Sequence, residues 1–92
     1  MIFIVTAKFR GKLDVQKFSE LMKKTGESFE ARGVKRLGSY FTFGRFDFVS
    51  IIDSPNQDAL QSAMKSAMEV ADIGETETLI GLRAEEVLKP MT

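Results

Sequence analysis

The sequence contains no cysteine and no histidine. Their absence removes disulfides, thiolate nucleophiles, zinc-finger ligation, haem held by an imidazole and every catalytic triad that needs an imidazole base. An excess of charge of either sign is also lacking, because 13 Lys and Arg balance 13 Asp and Glu. With no long run of one sign, neither a nucleic-acid footprint nor a polybasic membrane patch is present. No apolar run is long enough for a membrane span or a signal peptide, since Met1-Ile2-Phe3-Ile4-Val5-Thr6-Ala7 meets a charge at Lys8. The expectations are a cytoplasmic location, no nucleic-acid or membrane partner, no cofactor and no metal site. With 92 residues, a single domain over 1–92 is expected. A chain of that size buries roughly 60–65% of its unfolded surface, so its core is modest and a partner would help.

What is present centres on 38–52, Gly-Ser-Tyr-Phe-Thr-Phe-Gly-Arg-Phe-Asp-Phe-Val-Ser-Ile-Ile. Aromatic and β-branched residues fill both arms, which suits a pleated surface. Gly44-Arg45 suits the loop of a tight type II′ hairpin. That turn pairs Phe43 with Phe46, Phe41 with Phe48, Ser39 with Ser50 and Leu37 with Ile52 on one aromatic face. The other, mixed face then pairs Arg36 with Asp53, Gly38 with Ile51, Tyr40 with Val49 and Thr42 with Asp47.

Ile2 to Phe9 predicts a first strand, central because it is apolar on both faces. Asp14 is a good N-cap for a helix whose buried stripe is Phe18, Leu21, Met22, Thr25 and Phe29, and Gly33 supplies the C′ position. Gly26 inside that helix points to close packing on a sheet or to a ligand. Ser54-Pro55-Asn56-Gln57 reads as a capping box with Pro at the first helical position. The helix it opens carries a narrow stripe of Leu60, Ala63, Met64, Ala67, Met68 and Ala71, in which Met64 and Met68 are core filler or pocket lining. Residues 75–83 alternate into a fourth strand, with Glu75, Glu77 and Leu79 on one side and Thr76, Thr78, Ile80 and Leu82 on the other. A last helical turn is expected from Ala84, stopped by Pro90.

The order strand, helix, strand, strand, helix, strand is the βαββαβ plan of the ferredoxin-like α+β fold, a four-stranded antiparallel sheet with two helices on one face. With the aromatic face under the helices, Tyr40, Val49 and Ile51 stay uncovered. Large exposed apolar patches are rare on monomers, so a homodimer that closes a dimeric α/β barrel, or a higher homo-oligomer, is the economical cover.

The stretch from Gly38 to Val49, with Ser54-Pro55 and Thr76-Glu77-Thr78-Leu79 after it, resembles the GYD domain family. The likeness is clearest from Val34 to Leu82. Phe46 stands where a Tyr is expected, so no phenol is available there. The resemblance implies a ferredoxin-like subunit of the dimeric α/β-barrel group and little about activity. Related barrels include cofactor-free monooxygenases, muconolactone isomerase-like enzymes and effector-binding domains of Lrp-type regulators, so function has to be argued from a site.

The candidate ligand-binding residues are Tyr40, Thr42, Arg45 and Asp47, grouped near the hairpin tip, where Tyr and Thr would donate hydrogen bonds and Asp47 would act as a base. The plainer reading is that Asp47 ties the turn. Glu75 and Glu77 share a strand face, but without a calcium-loop pattern or an imidazole they read as a solvated strand end. Arg10-Gly11-Lys12 lacks a phosphate-loop spacing. Ser19, Ser28, Ser62 and Ser66 lack a base, so no nucleophile is assigned. Three functions compete: a module binding a small amphipathic or aromatic molecule at the sheet/helix or dimer interface, a cofactor-independent monooxygenase or isomerase using Asp47, and a structural or regulatory oligomerisation module.

Overall fold

Ile2–Phe9 forms the first strand, β1, and its apolar residues on both faces suit a strand with a neighbour on each side. The chain continues through α1 (Val15–Ala31), β2 (Lys35–Phe41), β3 (Phe48–Asp53), α2 (Gln57–Met68), β4 (Ile73–Gly81) and a short α3 (Ala84–Leu88). These come from a computed structural model, which describes residues 1–68 and 73–88, with the side chains of 66–68 and 73 set aside. The strands make one antiparallel sheet of order β2-β3-β1-β4, the ferredoxin-like arrangement, with β1 in its interior. Ala71 of the expected α2 stripe, and Lys89 and Pro90 after α3, lie outside the described residues.

The first helix begins and ends on local signals. The Asp14 carboxylate accepts from the N–H groups of Gln16 and Lys17, each at 3.1 Å, satisfying two donors that the helix leaves orphaned. At the other end Val34 N–H donates to Phe29 C=O at 2.8 Å and Gly33 N–H to Glu30 C=O at 3.3 Å, a Schellman motif. Gly33 takes the positive φ of 70° that this motif requires. Phe29 and Val34 then meet in the core, so the cap also sets the direction of β2.

Both helices pack on the face that carries Phe3, Val5 and Ala7 of β1 and Phe48, Ser50 and Ile52 of β3. One part of the core joins Phe3, Val5 and Ile52 to Phe29 of α1 and Leu60 and Ala63 of α2. The other is aromatic: the Phe18 ring lies 5.0 Å from Phe48 and 5.4 Å from both Phe9 and Phe41. The aromatic face therefore lies under the helices, as expected from its lower polarity.

Three local expectations are corrected. The β2–β3 strands keep their register to Phe41–Phe48, and one backbone bond continues past it from Thr42 N–H to Asp47 C=O at 2.9 Å, so residues 43–46 rather than Gly44-Arg45 alone make the connection. The Thr42 hydroxyl donates to Phe46 C=O at 2.6 Å, engaging the carbonyl that a Phe43–Phe46 pair would use. Phe43 consequently leaves the aromatic face and is fully exposed. At the other end of the hairpin the register shifts, pairing Arg36 with Ile52 and Lys35 with Asp53, so Leu37 is not opposite Ile52. Finally, α2 is capped by Asn56, whose Oδ1 accepts from Ala59 N–H at 2.8 Å. The Ser54 hydroxyl is committed to Asn56 C=O at 2.7 Å and starts no capping box.

Candidate functional site

The hairpin tip gathers some of the expected site residues, each already engaged. Asp47 Oδ2 accepts from Phe9 N–H at 2.9 Å, and Asp47 N–H donates to Ala7 C=O at 2.9 Å. This double contact fixes the end of β1, where its pairing with β4 slips between Lys8 and Phe9. The Thr42 hydroxyl donates to Phe46 C=O and the Thr42 N–H to Asp47 C=O at 2.9 Å, and the Arg45 guanidinium lies 5.4 Å over the Phe46 ring. Tyr40 points elsewhere. Its ring folds back over Gly38, so closely that a Cβ at Gly38 would stand 3.0 Å from the Tyr40 hydroxyl oxygen. The geometry brings Asp47 to the β1 backbone and leaves the Tyr40 phenol further along β2.

The face opposite the helices is set by the same registers. Ile4 of β1 lies between Ile51 of β3 and Leu79 of β4, and Tyr40 of β2 pairs with Val49. Ile4, Val49 and Ile51 are half-buried, while Tyr40 and Leu79 are exposed. Glu75 and Glu77 continue this face toward the far end of β4, opposite Lys8 and Thr6.

Among the concavities on the helix side, two adjoin each other. One is a groove of about 470 Å³ between α2 and β4, floored by Thr76, Thr78 and Ile80 and walled by Gln61 and Met64. The narrow Leu60/Ala63 stripe seats α2 over the central strands, and among the described residues the inward face of β4 is left exposed. The other is a cavity of about 50 Å³ between the helices and the sheet, bordered by Val5, Phe29, Ile52, Ser50 and Arg36. Met64 and Thr76 border both, so the cavity and the groove adjoin.

The sequence points to the sheet/helix interface and to Met64 as core filler or pocket lining, and Met64 borders both concavities, but it does not assign their other walls. The alternation of Thr76, Thr78 and Ile80 identified their common side, but how far α2 reaches across the sheet depends on packing between distant elements. Arg36 was missed because its position follows from the register shift at Leu37. Among the described residues no helix is long and apolar enough to cross a membrane.

Comparison with known proteins gives a family and a fold. A family model described as Domain of unknown function (DUF3303) matches residues 1–79. No curated protein matches the sequence. The structure is similar to that of an AsnC family transcriptional regulator from Agrobacterium tumefaciens, at 14% identity and a TM-score of 0.62, covering 99% of this chain and 59% of that one. It is also similar to a hypothetical protein from Pyrococcus horikoshii, at 15% identity and a TM-score of 0.56, covering 92% of this chain and 95% of that one. A third likeness is to FFRP-DM1, at 21% identity and a TM-score of 0.55, covering 88% and 96%. The chain thus spans little more than half of the AsnC family regulator, and at these identities the likenesses speak for the fold alone.

Proposed function

The chain belongs to the family described as Domain of unknown function (DUF3303), and we propose that it is a cytoplasmic homo-oligomeric domain that binds a small amphipathic molecule between its sheet and α2. The observation that carries this reading is the groove between α2 and β4, which adjoins the interior cavity at Met64 and Thr76. A concave, mainly apolar site with a few polar groups is the usual form of a small-molecule pocket. Here Gln61, Thr76 and Thr78 supply hydrogen-bonding groups, while Phe3, Leu60 and Ile80 supply apolar walls.

The oligomeric part rests on the other face of the sheet. Ile4, Val49, Ile51, Tyr40 and Leu79 form an apolar surface without helix cover among the described residues, and a two-fold related sheet would remove it from water. The resemblance of the hairpin and the Thr-Glu-Thr-Leu strand to the GYD family supports the same barrel-like pairing.

A thermal-shift screen of small metabolites, followed by amide NMR mapping, tests the binding reading. The expected result is a stabilising compound that perturbs Thr76, Thr78 and Met64, with the response lost in Thr78→Trp, which fills the groove from an exposed position. A screen without any stabilising compound, or a response that survives Thr78→Trp, argues against the groove.

A further inference from the structure

The second strand breaks the hydrophobic pattern at one place. Between β2 and β3, Arg36 pairs with Ile52 and Gly38 with Ile51, so Leu37 is the extra residue of a bulge. Bulges re-aim the side chains beside them. This one leaves Leu37 54% exposed and lays Arg36 on the helix side, opposite Ile52 and beneath α1. The reverse placement would bury apolar surface and spare a charge its desolvation. Positions that break a local rule are where function or strain is expected.

Arg36 is half-buried, and the guanidinium nitrogens that its protein contacts leave free reach solvent. A guanidinium has five N–H donors. Its contacts are one long bond from Nη1 to Met22 C=O, at 3.4 Å, and the face of Phe29, at 5.3 Å. Among the described residues no carboxylate pairs with Arg36. Burial holds its pKa below the ordinary arginine value, but a guanidinium still stays charged at neutral pH. The α1 residue facing it is Gly26, where a Cβ would lie 3.9 Å from Nη1, an ordinary contact that places the guanidinium directly against the helix. Ser50 borders the same cavity, but its hydroxyl is engaged with the Ser39 hydroxyl at 3.0 Å and Gly38 C=O at 3.4 Å, so the cavity wall is apolar and suits an aliphatic body.

We propose that Arg36 is the anion-receiving group of the ligand site, and that the ligand is a small carboxylate with a short aliphatic body. The carboxylate accepts two hydrogen bonds from the guanidinium, and the body occupies the apolar cavity toward Met64. This rests on the reading that the space between sheet and helices holds an amphipathic molecule, and it adds that molecule's charge and size. A planar, singly charged carboxylate matches one guanidinium fork, whereas a phosphate has further charge and oxygens to satisfy. A cavity of about 50 Å³ is a fraction of the roughly 150 Å³ that holds benzene in an engineered protein core, which favours a few methylene groups over a ring.

Butyrate and its neutral isostere butyramide separate the possibilities, titrated by amide NMR into the full chain. Butyrate is expected to shift resonances around Arg36 and Ser50 and to bind about tenfold or more tightly than butyramide. Arg36→Met, with its fold checked by circular dichroism, should bind the two alike, and Arg36→Lys should keep part of the preference. Equal binding of both probes by the wild type, or a butyrate preference that survives in Arg36→Met, overturns the role of Arg36 and leaves a neutral pocket. If neither probe binds while 1-octanol perturbs the groove, the carboxylate is overturned and the groove stands. If none of the three binds, both readings fall.

Discussion

The two faces of the sheet are built from similar residues but differ in what covers them. Ile51 and Ile52 are adjacent in β3, yet Ile52 is 1% exposed beneath the helices while Ile51 is half-buried on the face without them. Phe3, Val5 and Phe48 share the first environment, and Ile4, Val49 and Leu79 the second. Apolar character alone therefore does not mark the core, because burial needs a second layer and the helices supply one for a single face. Ile52→Ala should cost about 2–5 kcal/mol in urea unfolding, independent of protein concentration. Ile51→Ala should cost less at low concentration and more as concentration rises, because a face covered by a second copy is linked to association. A cost for Ile51→Ala that stays flat across concentrations would mean that no second copy covers this face.

The comparison is sharpened at the hairpin tip, where one side chain ties the strands together. Asp47 belongs by alternation to the open side, yet its carboxylate reaches the Phe9 N–H. Asp47→Ala removes a charged acceptor from a part-buried N–H and should cost about 1.5–3 kcal/mol. Asp47→Asn, which keeps an acceptor oxygen, should cost less. Equal, negligible losses in both would show that the tie does not hold the end of β1 and would free Asp47 for other chemistry.

The parts of the fold legible in the sequence are those written in local pattern. Asp14 and Gly33 bound α1 because caps are decided within one helical turn, and Phe48, Ser50 and Ile52 share a face because strand alternation is a backbone property. The failures occur where a side chain competes with the backbone or a distant contact decides. Thr42 takes Phe46 C=O and opens the turn; Asn56 caps α2 where Ser54 was expected to; and the bulge at Leu37 exchanges an inward leucine for an arginine. The candidate site suffered most from the last of these. Hairpin alternation puts Tyr40, Thr42 and Asp47 on the open face near the turn that holds Arg45, whereas the groove and the Arg36 cavity join residues from β2, β3, α2 and β4 that only the tertiary packing brings together.

Phe43 gives the smallest expected effect and a clean contrast with Phe48. The alternation of the hairpin assigns both to the same covered face, but Phe48 is 9% exposed against the Phe18 and Phe41 rings, and Phe43 stands free at the tip. A side chain that is as exposed in the folded chain as in the unfolded one gains nothing from folding, so Phe43→Ser should change unfolding free energy by no more than about 0.5 kcal/mol. The same substitution at Phe48 removes a buried ring and introduces a hydroxyl among apolar neighbours, at a cost of several kcal/mol, roughly that of a core Phe→Ala change. A loss at Phe43 that appears only at high protein concentration would place the tip in a contact between copies, and a loss at every concentration would return Phe43 to the aromatic layer beneath the helices.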